Sequence, residues 1–594
     1  MIQPPDPATA FAAAERAYFE GRFLDARTHL AAIAELRAPA AYHLRAIVEQ
    51  ALGDLPAARA QFEAATRLSP RDPGIWNNFG TLLRRIGDAP GALDAYERAL
   101  ELSPRFADAM FNRAILLERL GRRDEARRAF RALLDMQPGD ARYWNGLALV
   151  EKEGGDLAAA AAAYDQALSA APGDRLATIG RARVALEREE ADTIDRYRTA
   201  RRLAPDDPEL ALDEAEARLG RGDRAALDEL ADVARSAPDW THGQIALARM
   251  RWEQGERSGF ADHVEALLKA EPKRARLWSD YIQLLAGCGE PARAADAARN
   301  AHRALPDDAS LLLVEATHAG KAGQIERAEA LFAKLAPGLA GRNIHESVHR
   351  IRRGELDRAL PLVEAALGEE PWNYAAWGIA EILYRKMGHP RWEWLSGQPG
   401  LVSVSSLPLD PEEFRAADAL LERLHQNTVE TIGQSVHGGT QTRWQLFDRT
   451  EPEIARLRGA IDRALTDHVA NLPARDETHP LLRHRERKVA ICASWSVRFL
   501  DAGYHVPHYH PKGLISSACY VRVPSVAAPS HDGWLEIGRP PADFLLDLEP
   551  IHLIEPKPAR LVLFPSYLFH GTRSFSVGER VSVAFDVAAI QGGT

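Results

Sequence analysis

The stretch PGIWNNFGTLLRRIGDAPGALDAYERALELSP, residues 73–104, contains the pattern that decides the fold of most of the chain. A first helix begins around Trp76, the Gly87-Asp88 pair ends it, and a second helix runs from Ala92 to Pro104. Gly87 suits the left-handed conformation that closes a helix, and a proline suits the first turn of the next one. The unit recurs every 34 residues, marked by Pro70, Pro104, Pro138 and Pro172 and by Gly53, Gly87, Gly121 and Gly155.

The 34-residue step is similar to that of the tetratricopeptide repeat family. In the family pattern W-x2-L-G-x2-Y, Phe79 stands in the Leu place and Leu83 in the Tyr place. Small residues such as Gly80 and Ala114 let two helices approach closely. Later units keep steps of 31 to 34 residues at Pro205, Pro238, Pro272, Pro306, Pro337 and Pro371. We therefore predict a repeat array over residues 7–389, with about eleven repeats.

Arrays of this family stack into a right-handed superhelix whose first helices line a concave face, and such faces bind extended peptides or partner proteins. Asn78 and Asn112 occupy equivalent positions 34 residues apart. They resemble the asparagine ladder with which some superhelices hold a peptide backbone. The next equivalent position is Gly146, so the ladder is short, and ordinary polar residues on a solvated groove are the alternative. The resemblance implies a peptide or protein partner in the groove, with homodimerisation as another use of the repeats.

The composition argues against several other partners. The 594 residues carry a net charge of -10 and a sequence pI near 6.1, which provide no basic surface for nucleic acid. No stretch approaches the length of apolar sequence that spans a membrane, and the N-terminus lacks the pattern of a signal peptide. The three cysteines lie far from any CxxC spacing, so neither a disulfide framework nor a zinc knuckle is predicted. We expect a cytoplasmic protein without nucleic acid or membrane as a partner.

The periodicity stops after His389, and residues 390–410 are the predicted junction to a second domain over residues 411–594. This domain begins with a helix from Asp410 to about His425 and continues with a helix from about Glu451 to Leu472. Short β-branched or alternating segments separated by Gly or Pro follow at 489–500, 514–523, 535–537, 552–554, 560–564 and 580–587. They are typical of a jelly-roll, the double-stranded β-helix. The predicted fold class is therefore multidomain α + β: an all-α tetratricopeptide superhelix, then a double-stranded β-helix domain with flanking helices.

Three histidines of the second domain suit a metal centre. Residues two apart on a strand point to the same face, so His508 and His510 can converge on one point. His570, from a distant strand, would complete a facial set of ligands. Such a set leaves the opposite positions of an octahedral iron(II) ion open to a chelating co-substrate and dioxygen.

Arg580 is the predicted anchor of that co-substrate. It follows His570 by ten residues and begins an apolar run that ends at Val587. A guanidinium that enters a barrel there needs a partner, because an unpaired buried charge is costly. The far carboxylate of 2-oxoglutarate suits a bidentate grip by Arg580, with the hydroxyl of Ser582 in support. Tyr520 is either a further donor to the same co-substrate or a residue of the core.

Several segments of the C-terminal third together resemble the bacterial and phage family of 2-oxoglutarate/iron(II) oxygenases. They are GGTQT at 438–442, HYHP at 508–511, SSACYV at 516–521, LFPSYLFH at 563–570 and RVS at 580–582. The resemblance implies iron(II), 2-oxoglutarate and dioxygen, and oxidation of an unactivated C–H bond while 2-oxoglutarate is decarboxylated to succinate. With the repeats, it implies a dioxygenase that hydroxylates a side chain of a peptide or protein. Action on a small molecule, with repeats used for dimerisation, and an inactive scaffold are the alternatives.

The chain departs from most wider relatives at His510, where their first motif, His-x-Asp, has the aspartate. Three interpretations stay open. His508, His510 and His570 all bind iron, or none of them does, or His510 lies behind the other two. The last arrangement is that of the aspartyl/asparaginyl hydroxylases, which residues 503–508 also resemble. His505 is expected in a loop or behind the ligands, whereas Trp495 belongs either to the core or to substrate orientation, as does Arg498.

Overall fold

The computed structural model describes residues 6–188, 190–425, 435–442, 445–449, 451–524, 531–576 and 578–590. The chain forms two compact units, Met1–Leu203 and Ala204–Thr594. Within the described residues, no helix combines the length and the apolar character needed to cross a membrane.

The first unit consists of helices that contact each other in consecutive pairs. The left-handed glycines predicted at the turns are found: Gly53 and Gly87 have φ values of 87° and 86°. At Gly80, a β-carbon would lie 2.7 Å from the Tyr96 ring, so the close approach of two helices needs a glycine there. The helices are α1 (Pro7–Phe19), α2 (Phe23–Ala31), α3 (Pro39–Leu52), α4 (Leu55–Leu68), α5 (Pro73–Arg85), α6 (Ala89–Leu102), α7 (Ala107–Arg119), α8 (Arg123–Met136), α9 (Ala141–Glu153), α10 (Leu157–Ala170), α11 (Arg175–Glu187) and α12 (Thr193–Leu203).

The second unit continues the helical pairs and ends in a β domain with two flanking helices. Its helices are α13 (Pro208–Leu219), α14 (Ala226–Ser236), α15 (Thr241–Glu253), α16 (Asp262–Ala270), α17 (Ala275–Gly287), α18 (Pro291–Ala304), α19 (Ser310–Lys321), α20 (Ile325–Phe332), α21 (Arg342–Arg352), α22 (Leu356–Glu369), α23 (Tyr374–Lys386), α24 (Pro411–Leu424) and α25 (Pro452–Asn471). Short helical turns lie at Glu393–Gly397, Leu446–Asp448, Leu482–His484 and Ala542–Phe544.

The β domain has two antiparallel sheets among the described residues. The larger has the strand order β1-β7-β4-β9-β3-β2 and the smaller the order β6-β5-β8. Both are compatible with the predicted double-stranded β-helix, and the predicted fold class of helical repeats followed by a β domain is confirmed. The strands are β1 (Ser403–Ser406), β2 (Val436–Gln441), β3 (Val489–His505), β4 (Ile515–Arg522), β5 (Leu535–Ile537), β6 (His552–Ile554), β7 (Arg560–Pro565), β8 (His570–Thr572) and β9 (Arg580–Ala589).

Helix α23 shares one hydrophobic cluster with the β domain. Ten of its residues are buried, from Tyr374 to Tyr384. The Tyr374 hydroxyl donates to the carbonyl of Pro480 at 3.2 Å, and Lys386 donates to the carbonyl of Asp547 at 2.8 Å. The predicted junction at 390–410 thus lies within a continuous core, and the exact domain bounds stay a prediction.

At Gly378, α23 packs closely against the segment that leads to His570. A β-carbon at Gly378 would lie 2.6 Å from the carbonyl oxygen of Tyr567 and 3.2 Å from the Phe569 ring. The first of these neighbours is backbone, which yields less readily than a flexible side chain.

We expect Gly378→Ala to lower the Tm, because overpacking should reduce the free energy of unfolding by about 1–3 kcal/mol. Gly368→Ala in α22 is the matched control, because nothing lies within 4 Å of its β-carbon position. That substitution should stabilise the helix by up to about 1 kcal/mol. Thermal unfolding of the two variants tests the difference, and an unchanged or higher Tm for Gly378→Ala would contradict the close packing.

Candidate active site

Two of the three predicted ligands are fixed by one pair of backbone hydrogen bonds. The amide of His508 donates to the carbonyl of His570 at 3.0 Å, and the amide of His570 donates back to His508 at 2.8 Å. Residues that face each other in this way place their side chains on the same side of the sheet. The amide of His510 donates to the carbonyl of Ser566 at 3.0 Å, which holds the next turn of the same loop.

The three imidazoles converge, with one ligand atom from each lying within 4.8 Å of the others. Nδ1 of His508 lies 2.8 Å from the carbonyl of Val506, and Nδ1 of His570 lies 3.0 Å from that of Leu568. Because a carbonyl oxygen accepts but cannot donate, each Nδ1 carries the proton and each Nε2 presents a lone pair. Burial lowers the pKa of His508 to about 4 and the pKa of His570 well below its usual value. Both rings are therefore in the neutral form that binds metal.

His510 is held by a carboxylate instead. Its Nδ1 lies 2.6 Å from Oδ1 of Asp586, on β9. Its ring centroid lies 5.1 Å from that of His508 and 5.0 Å from that of His570. All three rings thus have the orientation that metal-binding histidines take, with the outer nitrogen donating to an oxygen. The described residues fit an iron(II) ion, which supports the prediction that all three bind it.

Arg580 lies in the same cavity as the histidines. Its side chain is buried, and Nη1 donates to the carbonyl of Gly533 at 2.7 Å. Its guanidinium lies 4.8 Å from the centre of the Tyr520 ring. Burial lowers the pKa of Arg580 and raises that of Tyr520. In the described part of the chain, no acidic side chain forms an ion pair with Arg580, and its Nε has no hydrogen-bond partner. A carboxylate ligand would supply the missing acceptor and charge.

The sheet register places the predicted co-substrate residues on one face. Tyr520 on β4 lies opposite Ser582 on β9, and Arg580 and Ser582 are two residues apart, so all three share that face. Ser582 lines the cavity, whose volume is about 200 Å³. The prediction of Tyr520 as a donor stays open, because its ring packs on the guanidinium of Arg580 in the core of the domain.

Two of three further residues considered from the sequence, His505 and Trp495, line the cavity, whereas Arg498 does not. His505 lines the cavity, with its ring stacked at 6.0 Å on that of His508. Trp495 lines it too, 5.5 Å from the His510 ring. Arg498 instead donates to Glu579 at 2.6 Å in an ion-pair group outside the cavity lining. Trp495 is therefore the better candidate for orienting a substrate.

Two residues that contact the histidines, Asp586 and Ser435, were not predicted from the sequence. Asp586 is six residues after Arg580, so strand alternation puts it on the same inward face. An acidic residue inside the run from Val581 to Val587 is the pattern that indicates it. The Ser435 hydroxyl lies 3.3 Å from Nε2 of His508 and from Nδ1 of His505. Nothing near Ser435 in the sequence points to that position.

The two asparagines of the predicted peptide ladder bond within their own array. Nδ2 of Asn78 lies 2.9 Å from Nε2 of His43, and its amide oxygen accepts from Asn77 at 3.2 Å. Asn112 donates to Asn77 at 2.9 Å. These hydrogen bonds form a chain across three repeats. Nδ2 and Oδ1 of Asn78 each make one of these hydrogen bonds, so part of its hydrogen-bonding capacity is already used within the array.

Comparison with protein families places both parts of the chain. The model of the family described as "Putative 2OG-Fe(II) oxygenase" matches residues 493–586, which contain the three histidines, Arg580 and Asp586. A tetratricopeptide repeat model matches residues 43–105, 77–141 and 111–175. The chain thus contains tetratricopeptide repeats over residues 43–175 and a segment, residues 493–586, that is similar to the putative 2OG-Fe(II) oxygenase family. For the oxygenase domain, the family implies iron(II), 2-oxoglutarate and dioxygen.

No curated protein matches this chain. Among solved structures, a tetratricopeptide repeat protein from Parabacteroides merdae is 20% identical, with a TM-score of 0.33, over 40% of this chain and 95% of its own. PilF from Pseudomonas aeruginosa is 17% identical, with a TM-score of 0.32, over 34% of this chain and 94% of its own. A tetratricopeptide protein from Thermus thermophilus is 23% identical, with a TM-score of 0.27, over 30% of this chain and 100% of its own.

Proposed function

We propose that the protein is an iron(II)- and 2-oxoglutarate-dependent dioxygenase that hydroxylates a side chain of a peptide or protein. The observation that carries this proposal is the cavity in which one ring nitrogen from each of three histidines converges beside a buried arginine without a carboxylate partner. His508, His510 and His570 are the proposed metal ligands. Arg580 is the proposed anchor of 2-oxoglutarate, with Ser582 and Tyr520 beside it.

The work of the protein in this reaction is to bind, orient and exclude water. When bound, iron(II) with 2-oxoglutarate and dioxygen supplies the oxidation of an unactivated C–H bond. The backbone carbonyls of Val506 and Leu568 keep the His508 and His570 rings turned toward the ion. Arg580 holds the distant carboxylate of the co-substrate, which fixes the other end of that molecule at the metal. The buried walls of the cavity shield the reacting groups from bulk water.

The repeats support a peptide or protein as the substrate. Tetratricopeptide arrays generally mediate such interactions, and the chain carries matched repeats over residues 43–175. The proposal does not depend on the asparagine ladder, because Asn78 and Asn112 already bond to neighbouring side chains. That same observation favours a second candidate, a dioxygenase of a small molecule whose repeats serve in homodimerisation.

Anaerobic titration with iron(II) and 2-oxoglutarate tests the metal site. We expect the wild type to develop the metal-to-ligand charge-transfer band in the visible range. We expect His510→Ala to bind iron(II) about 100-fold more weakly, since each ligand of a protein metal site contributes a large share of the binding free energy. His552→Ala is the control, because His552 is exposed on β6, outside the cavity lining.

Two results would contradict the proposal. A wild type that binds iron(II) without developing the band with 2-oxoglutarate would exclude this co-substrate. Unchanged iron(II) affinity in His510→Ala would reduce the ligand set to His508 and His570. Succinate formation under air separates an active dioxygenase from an inactive scaffold, because a scaffold binds both ligands without turnover. A peptide substrate is distinguished from a small molecule by which of the two couples that succinate to a hydroxylated product.

A further inference from the structure

A buried carboxylate stands directly behind one of the three proposed metal ligands. Oδ1 of Asp586 lies 2.6 Å from Nδ1 of His510 and accepts a hydrogen bond from the Ser516 hydroxyl at 2.8 Å. The Ser516 hydroxyl also lies 2.8 Å from that of Ser566. Asp586 is 8% exposed. His510, from the loop before β4, and Ser516, on β4, thus fix the position of this carboxylate.

The three imidazoles are not equivalent in charge. His508 and His570 donate to backbone carbonyls, which are neutral, whereas His510 donates to a carboxylate. A carboxylate that accepts from the outer nitrogen raises the basicity of the inner one. Of the three rings, His510 is therefore the strongest electron donor toward a bound cation.

The charge of Asp586 also lacks a permanent counter-ion. In the ranges that the structure describes, its ion-pair contact is with His510, and no lysine or arginine lies within ion-pair distance of it. A buried carboxylate is costly without compensation. A divalent cation on the far side of the His510 ring would provide it. The carboxylate and the metal site therefore stabilise each other.

We propose that Asp586 is a positioning residue that supplies, through His510, the negative charge which the three-histidine ligand set lacks. This inference rests on the proposed function, since it takes His510 as a metal ligand. This role of Asp586 would explain why the chain can have a histidine where most wider relatives have a liganding aspartate. A carboxylate is still present, but it lies behind the imidazole of His510 instead of contacting the ion.

Titration of the full-length protein with cobalt(II) alone, without 2-oxoglutarate, tests this role through affinity and the visible spectrum of the metal. We expect Asp586→Asn to weaken cobalt(II) binding by about 10- to 100-fold and to shift its visible bands. Asn preserves the shape and a hydrogen-bond acceptor, so the charge is the main change. Glu536→Gln is the matched control, because Glu536 is a buried carboxylate of the same domain that pairs with Arg539 and Arg573. It should bind cobalt(II) as the wild type does.

A second pair of variants keeps the test decisive if Asp586→Asn folds poorly. His510→Asp places two carboxylates side by side, and adding Asp586→Asn leaves one of them at the ligand position. We expect the two proteins to bind cobalt(II) with affinities within a few-fold of each other, because His510→Asp places a carboxylate at the ligand position and removes the imidazole through which Asp586 acts. A loss of about 10-fold or more in the double variant relative to His510→Asp, or wild-type affinity and spectrum in Asp586→Asn, would overturn the inference while leaving the metal centre in place. Absence of cobalt(II) and iron(II) binding in the wild type would overturn the inference and the proposed function together.

Discussion

Replacement of Arg580 by leucine is expected to weaken 2-oxoglutarate binding by roughly 30-fold or more while iron(II) binding is retained. Arg580 is 2% exposed and lines the same cavity as the histidines. It does not contact the Nδ1 atoms, whose hydrogen bonds orient the imidazole rings. Truncating one partner of a buried charge pair costs about 2–5 kcal/mol or more. That corresponds to a loss of roughly 30-fold to several thousand-fold in affinity for the dicarboxylate. The effect should fall on the co-substrate and leave the metal affinity within a few-fold of the wild type.

The same substitution should not lower the free energy of unfolding of the ligand-free protein by an amount comparable to the loss in binding free energy. In the described residues, the guanidinium has one carbonyl partner, at Gly533, and no acidic partner. Its burial therefore costs free energy in the absence of the co-substrate, and an apolar side chain of similar length removes that cost. We expect the Tm without ligands to stay the same or to rise.

Isothermal titration of the iron(II)-loaded, oxygen-free protein with 2-oxoglutarate measures the affinity, and thermal unfolding measures the stability. Arg573→Leu is the control, because Arg573 pairs with Glu536 and lies outside the cavity lining. It should bind 2-oxoglutarate as the wild type does. Wild-type affinity in Arg580→Leu would remove Arg580 from the co-substrate site, whereas loss of iron(II) together with 2-oxoglutarate would indicate a wider collapse of the cavity.

The histidine centre could be predicted because its rule is local. Strand alternation predicts that His508 and His510 converge, and the order of the motifs along the chain predicts His570 as the third histidine. The rings do converge, but β3 ends at His505 and β4 begins at Ile515, so the pair lies in the loop between these strands, held by backbone bonds to His570 and Ser566. What alternation cannot give is the partner of each ring. The carbonyls of Val506 and Leu568 carry no sequence pattern, and the hydrogen bond between His510 and Asp586 joins residues 76 apart. Asp586 could have been inferred, because it lies on the same face of β9 as Arg580 and is an acidic residue within an otherwise apolar strand.

The repeats show the same division between periodic and non-periodic features. Their period depends on packing between neighbours in sequence, so Gly87 and Gly80 could be assigned their roles in turn and packing before the structure was known. The bonds of Asn78 to His43 and Asn77 could not, because each amide has several partners of equal chemistry within reach. No sequence pattern indicates that α23, the last helix of the repeat array, belongs to the core of the β domain.

That shared core leads to the second large effect: a fragment of residues 390–594 is expected not to fold on its own. Helix α23 is missing from it, and with it the burial of Trp377, Ile379, Ile382 and Leu383 in the cluster that also contains the strands. Each large apolar side chain contributes about 1.5–3 kcal/mol on burial. Four of them approach the whole stability of a typical domain, about 5–15 kcal/mol.

The short fragment would also lack hydrogen bonds and an ion pair that the helices provide. Arg385 donates to the carbonyls of Gly538 and Glu549, and Arg352 pairs with Asp543 at 2.6 Å. Without the helices, these carbonyls and the carboxylate have no such partners, and the loop between β5 and β6 is left without support. Since β5 pairs with β8, which begins at His570, the disturbance would reach the metal site.

A longer fragment, residues 306–594, separates this cause from a general intolerance of truncation. It keeps α23, the pair α21 and α22 that also enters the cluster, and α19 and α20 to cover α21. We expect it to unfold cooperatively on heating and to bind cobalt(II), whereas residues 390–594 should lack both properties. If the short fragment unfolded cooperatively and bound the metal as tightly as the full chain, α23 would be a covering helix and the β domain an independent unit. The expected result instead makes the last repeats part of the enzyme, so that a ligand that bends or tightens them would act directly on the segment beneath His570.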